Sequence, residues 1–163
     1  MTVFDIFKWV DLLLRGPVPW GAAVAEPDAG VYVVARVDNP LGGCLPCTVP
    51  FIDPVPPHRV LDLEYEQWRW LPSEPIIYIG KTDRPICERL AEFRRHRCGD
   101  LSPHAGGQVI KLLHCDLWVY WSRSPTPYDT EQRMLCIFKE QAGQVPFANN
   151  DGKRRERRVR RAS

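Results

Sequence analysis

The sequence predicts a small mixed α/β (α+β) domain, two adjacent strands and a third with helices packed against them. Three observations carry that expectation. Gly30–Val37 and Pro75–Gly80 are short runs of β-branched and aromatic residues bounded by turn formers, the composition of buried strands. Between Pro85 and Arg97, Ile86, Leu90 and Phe93 recur at i, i+4 and i+7, the spacing of one helix face. The length of 163 residues, with 44% apolar and 26% charged side chains, suits one ordinary globular domain.

In order along the chain, Val3 to Arg15 reads as an amphipathic helix interrupted by Asp5, Lys8 and Asp11 and stopped at Gly16-Pro17. Those charges argue against a signal peptide, and no apolar run reaches the ~20 residues that span a bilayer. A cytoplasmic location is the expectation. With the loop that follows, the helix makes an N-terminal segment, residues 1–28. Residues 29–150 form the main domain, broken at 39–75 by a proline-rich insertion (Pro50, Pro54, Pro56, Pro57, Pro72) with one short element around Leu61 to Trp70. After the second strand come a helix with Pro85 in its first turn, a short helix from Gly107 to His114 and a strand from Leu117 to Trp121. A last helix, Thr130 to Gln141, stops at Gly143. Residues 151–163 read as a disordered basic tail.

That tail concentrates the charge. Lys153 to Arg161 hold seven of the 22 Lys/Arg and one acid, leaving 15 basic against 19 acidic residues elsewhere. A mildly acidic body with a basic end suits phosphate contact through counterion release. The six cysteines (Cys44, Cys47, Cys87, Cys98, Cys115, Cys136) are scattered, and in a cytosolic chain they are expected to be reduced thiols. Cys44 and Cys47 with His58 are three of the four ligands a zinc site needs, so a zinc-stabilised interaction module is kept as an alternative. Gly80-Lys81-Thr82 is not the end of a P-loop, because Pro75 stands where its first glycine belongs.

The chemistry-bearing residues form an ordered set. Gly30-Val31-Tyr32 lies on the first strand and Tyr78-Ile79-Gly80 on the second. Arg89 follows on a helix eleven residues after Tyr78, Glu131 lies on the last helix, and Asn149 or Asn150 comes at the end. In that order the set resembles the GIY-YIG nucleases, over about residues 30–150. Val31 stands in place of the isoleucine, and the connection between the half-motifs is much longer than the tight hairpin usual in the family. His104–Leu112 is similar to a histidine-bearing segment of several members.

The resemblance implies a three-layer domain with a short, mainly antiparallel sheet flanked by helices. It also implies a metal-dependent DNA endonuclease of a prokaryote or its virus, a monomer or homodimer. Its catalytic set would be Tyr32, Tyr78, Arg89, His96, His104, Glu131 and Asn149, with Glu131 as the ligand of one Mg²⁺ or Mn²⁺. Cutting a phosphodiester needs an activated water, a stabilised pentacovalent phosphate and help for the leaving oxygen. Arg89 offers planar bidentate donors, and a hard ion is satisfied by one carboxylate with waters. The phenols orient or deprotonate the water, with His96 and His104 as rival bases of more suitable pKa. Arg89, Phe93 and His96 share one helix face, as do Glu131, Leu135 and Phe138. Lys81, Arg94, Arg95, Lys111, Arg154 and Arg155 are expected to follow DNA phosphates. The alternative is a catalytically inactive nucleic-acid-binding protein on the same scaffold.

Overall fold

In chain order the elements are α1 (Val3–Trp9), β1 (Arg15–Pro19), β2 (Gly30–Ala35), α2 (Leu63–Arg69), β3 (Ile76–Thr82), α3 (Ile86–Arg95), β4 (Trp118–Arg123) and α4 (Pro127–Ala142). They come from a computed structural model that describes residues 1–45, 63–95, 109–110 and 113–151. The strands form one antiparallel sheet in the order β1-β4-β2-β3, so the domain is a small mixed α/β fold.

β2 is buried along its whole length, which is why its sequence is continuously apolar and does not alternate. Its residues still divide between two faces. Val31, Val33 and Ala35 meet Ile6 and Phe7 of α1 and Met134 and Phe138 of α4. Tyr32 and Val34 join Ile86, Leu90 and Phe93 of α3, together with Val109, Ile110 and Phe147. The long connection between β2 and β3 does not prevent their pairing, which runs from Gly30 opposite Thr82 to Val34 opposite Tyr78. Loop-closure entropy rises slowly with length and leaves such pairing affordable.

The N-terminal segment departs from its expected form. A capping box between Thr2 and Asp5 starts α1, but the helix ends at Trp9, and Asp11 turns the chain at a φ of 57°. Arg15–Pro19, expected to be helix end and loop, is instead an edge strand on β4. Its two prolines are tolerated there because an edge strand need not donate on its outer side. The segment 1–28 thus contributes one strand to the sheet. α4 begins one turn earlier than expected, with Pro127 in its first turn, and ends on Gly143 at a φ of 79°.

The insertion contributes α2, which clamps the C-terminal segment. Arg69 is fully buried and donates to the carbonyls of Asn149 (2.8 Å) and Pro146 (3.1 Å). Gln144 donates 2.7 Å back to the Arg69 carbonyl, and the Tyr65 hydroxyl bonds Asp151.

The cysteines are not all reduced thiols. Cys44, Cys87 and Cys136 are free, whereas Cys115 is disulfide-bonded; spacing in sequence said nothing of proximity in the fold. Cys44 lies against the buried Arg36 guanidinium, which also donates to the carbonyls of Pro72 (2.8 Å) and Glu74 (3.1 Å) and stacks on Trp70. Cys47, His58 and Cys98 lie outside the described residues, as do residues 107–108 and 111–112 of the expected short helix and residues 152–163 of the basic tail. Among the described residues no helix is long and apolar enough to cross a membrane.

Candidate active site

The site begins at a glycine. Gly80 of β3 stands opposite Tyr32 of β2, and Tyr78, two residues earlier, points to the same face. A side chain on Gly80 would put its Cβ 2.6 Å from a ring carbon of Tyr78 and 2.8 Å from the Tyr32 hydroxyl. The two phenols therefore close over the space that glycine leaves, their centroids 6.0 Å apart. Gly30 serves a different end, since a Cβ there would run into the Ser122 carbonyl of β4 and force the strands apart.

α3 supplies the cation. Its first turn is tied to the loop before β2, with the amides of Ile86 and Cys87 donating 3.0 Å to the carbonyls of Asp28 and Glu26. Phe93 packs edge-on against both phenols, and Arg89, one turn earlier, is a hydrogen-bonding neighbour of Tyr32, as is Tyr78. Arg89 is 3.9 Å from Glu92, whose carboxylate is gripped by both Arg84 nitrogens at 2.8 and 2.6 Å.

Burial raises the Tyr32 pKa, with Arg89 opposing it, and burial raises that of Tyr78 further. Both phenols are protonated near neutrality. Arg89 acts to lower both phenols, and burial outweighs it.

Glu131 comes from the opposite layer. Because β3 is an edge strand, the start of α4 brings this half-buried carboxyl to the same edge. It is close enough to Tyr32, Tyr78, Arg89 and Lys81 for charge to be felt among them. Desolvation raises its pKa, opposed by Gln132, Lys81 and Arg89.

No family model, curated protein or solved structure matches the chain. Among the described residues no three His, Cys, Asp or Glu side chains could together hold a metal. The donor set is one partly desolvated carboxylate beside a cation and two neutral phenols. Among the described residues that set offers a hard divalent ion one protein carboxylate, with the rest of its shell left to water.

The remaining expected site residues separate into three groups. Asn149 is buried, while Asn150 is exposed. The Asn149 carboxamide bonds the Ile79 backbone in both directions, so it positions β3 between Tyr78 and Gly80. Lys81 pairs with Asp83, Arg94 donates 2.6 Å to the Gly21 carbonyl and Arg95 donates 3.3 Å to Ala91 of its own helix. His96, His104, Lys111, Arg154 and Arg155 lie outside the described residues. Sequence reasoning missed Arg69, whose clamp depends on a contact 80 residues away in the chain. It also missed the place of Trp121, which pairs with Tyr32 across β4 and continues the aromatic surface.

Proposed function

We propose that the chain is a metal-dependent DNA endonuclease that hydrolyses a phosphodiester at the β3 edge. The observation that supports this best is that Tyr32, Tyr78, Arg89 and Glu131, separated by up to 99 positions in the sequence, come within electrostatic reach of one another beside Gly80. Their order along the chain, which resembles the GIY-YIG nucleases, points to the same chemistry.

In this reading Arg89 binds nonbridging phosphate oxygens and offsets the charge that builds in the pentacovalent state. Glu131 holds the divalent ion, which when bound supplies Lewis-acid stabilisation of the leaving oxygen. The protonated phenols orient the attacking water and donate to phosphate oxygens. Of the two, Tyr32 releases its proton more readily, because its anion accepts from both Arg89 and Tyr78. Asn149 keeps the strand carrying Tyr78 and Gly80 in place. We read the enzyme as cytoplasmic and as a monomer or homodimer, with one strand cut per site.

Nicking of supercoiled plasmid tests the reading. Wild-type protein is expected to nick with Mg²⁺ and not with EDTA, and Arg89→Ala and Glu131→Ala to lose about 100-fold or more in rate, the scale for removing a transition-state donor. Undiminished nicking by either variant contradicts the assignment. DNA binding with no metal-dependent nicking by the wild type supports the inactive scaffold instead.

A further inference from the structure

One turn ahead of Glu131, α4 carries an aromatic ring that the fold leaves in solvent. Tyr128 is 59% exposed and belongs to neither hydrophobic core, while Pro127 beside it is buried and fixes the helix start. The Lys81 ammonium lies 5.8 Å from the centre of the Tyr128 ring, and its charge reaches Glu131. Tyr128 and Glu131, at i and i+3, share one side of the helix. Ring, ammonium and carboxyl thus follow one another along the β3 edge.

An exposed aromatic ring that belongs to neither core and has a cation over one face matches a nucleotide, which presents a flat base for the other face and an anionic phosphate for the cation. In a duplex, neighbouring pairs cover each internal base face and would have to be unstacked, so an unpaired base takes the ring at least cost. We propose that Tyr128 is the stacking platform for an unpaired nucleobase of single-stranded DNA, with Lys81 on the adjoining phosphate. Asp83, now paired with Lys81, gives way to that phosphate, which makes the contact salt-dependent. The inference rests on the endonuclease reading and narrows its substrate to DNA with a single-stranded segment at the cut, which a negatively supercoiled plasmid offers where its duplex opens.

Binding in EDTA tests it apart from cleavage. The probe is a fluorescein-labelled oligothymidylate, compared with a labelled blunt duplex, by anisotropy on the full chain. Tyr128→Ala is expected to weaken oligothymidylate binding about tenfold, the scale of one lost base stack, to change duplex binding less than about twofold, and to leave the melting temperature unchanged. Tyr128→Phe is expected to bind as the wild type. The inference is overturned if Tyr128→Ala binds oligothymidylate normally, if both DNAs weaken equally, or if the wild type does not bind oligothymidylate. Plasmid nicking by the wild type keeps the two failures apart. Nicking with an indifferent Tyr128→Ala removes only the platform, and a selective Tyr128→Ala defect without nicking removes only the catalysis.

Discussion

The side chain of Asn149 stands in for a strand beside Ile79: its Nδ2 donates 2.7 Å to the Ile79 carbonyl, and its Oδ1 accepts from the Ile79 amide at 2.9 Å. Ile79 separates Tyr78 from Gly80, so this pair fixes the backbone that carries half of the site. Asn149→Ala leaves a buried donor and acceptor without partners, at about 1–3 kcal/mol each. A loss of about 2–4 kcal/mol in urea unfolding is expected. A change below about 0.5 kcal/mol shows that the pairing does not hold β3.

Arg69 holds that asparagine's own backbone from the insertion. Arg69→Met keeps the volume and leaves the carbonyls of Asn149 and Pro146 unpaired, with an expected cost of roughly 2–4 kcal/mol. Arg69→Lys retains the charge without the planar fork and is expected to recover only part of it. Full stability in Arg69→Lys indicates that charge alone suffices.

At Gly80 the test is steric. The Cβ of Gly80→Ala meets Tyr78 and Tyr32 inside van der Waals distance, and overpacking of this kind costs about 1–3 kcal/mol. The phenols have to separate, so DNA cleavage is expected to fall further than stability. An alanine variant that is stable and cuts at the wild-type rate shows that the close approach of the rings is not needed.

For Glu131 the sign of the pH dependence is opposite to that of a salt-bridged acid. Burial raises its pKa above the ordinary 4.5, so the folded protein binds this proton more tightly than the unfolded chain. Its contribution to stability is full below the unfolded value and is lost as pH rises through the higher folded value. Glu131→Gln is expected to melt above the wild type near neutral pH, with the gap closing below about pH 4. A variant that melts lower at neutral pH contradicts a desolvated carboxylate at this position.

The sheet's centre was legible because β2 and β3 are short apolar runs with clear ends, and α3 because Ile86, Leu90 and Phe93 keep helical spacing. Edge strand β1 was not: Arg15-Gly16-Pro17-Val18-Pro19 has the composition of a helix stop, and only pairing with β4 makes it a strand. The polar residues of the site could be named from their order, since an ordered set survives changes in loop length. What they do to one another could not, because the pKa of Tyr32 depends on burial beneath α3, and the role of Asn149 on a backbone 70 residues away. Arg69 and Tyr128 carry no local pattern, and only their positions in the fold give them meaning.

The claim that one metal-bearing locus lies between Glu131 and the paired phenols is tested by adding Mg²⁺ to protein with ¹³C-labelled tyrosines. The chain has five tyrosines, and Tyr65 on α2 and Tyr120 on the opposite face, bonded to Val37, serve as controls. The expected result is a saturable shift of the Tyr32 and Tyr78 ring signals, unmoved Tyr65 and Tyr120, and no response in Glu131→Gln. Silent Tyr32 and Tyr78 signals at Mg²⁺ concentrations that support nicking, or an equal response in Glu131→Gln, contradict it.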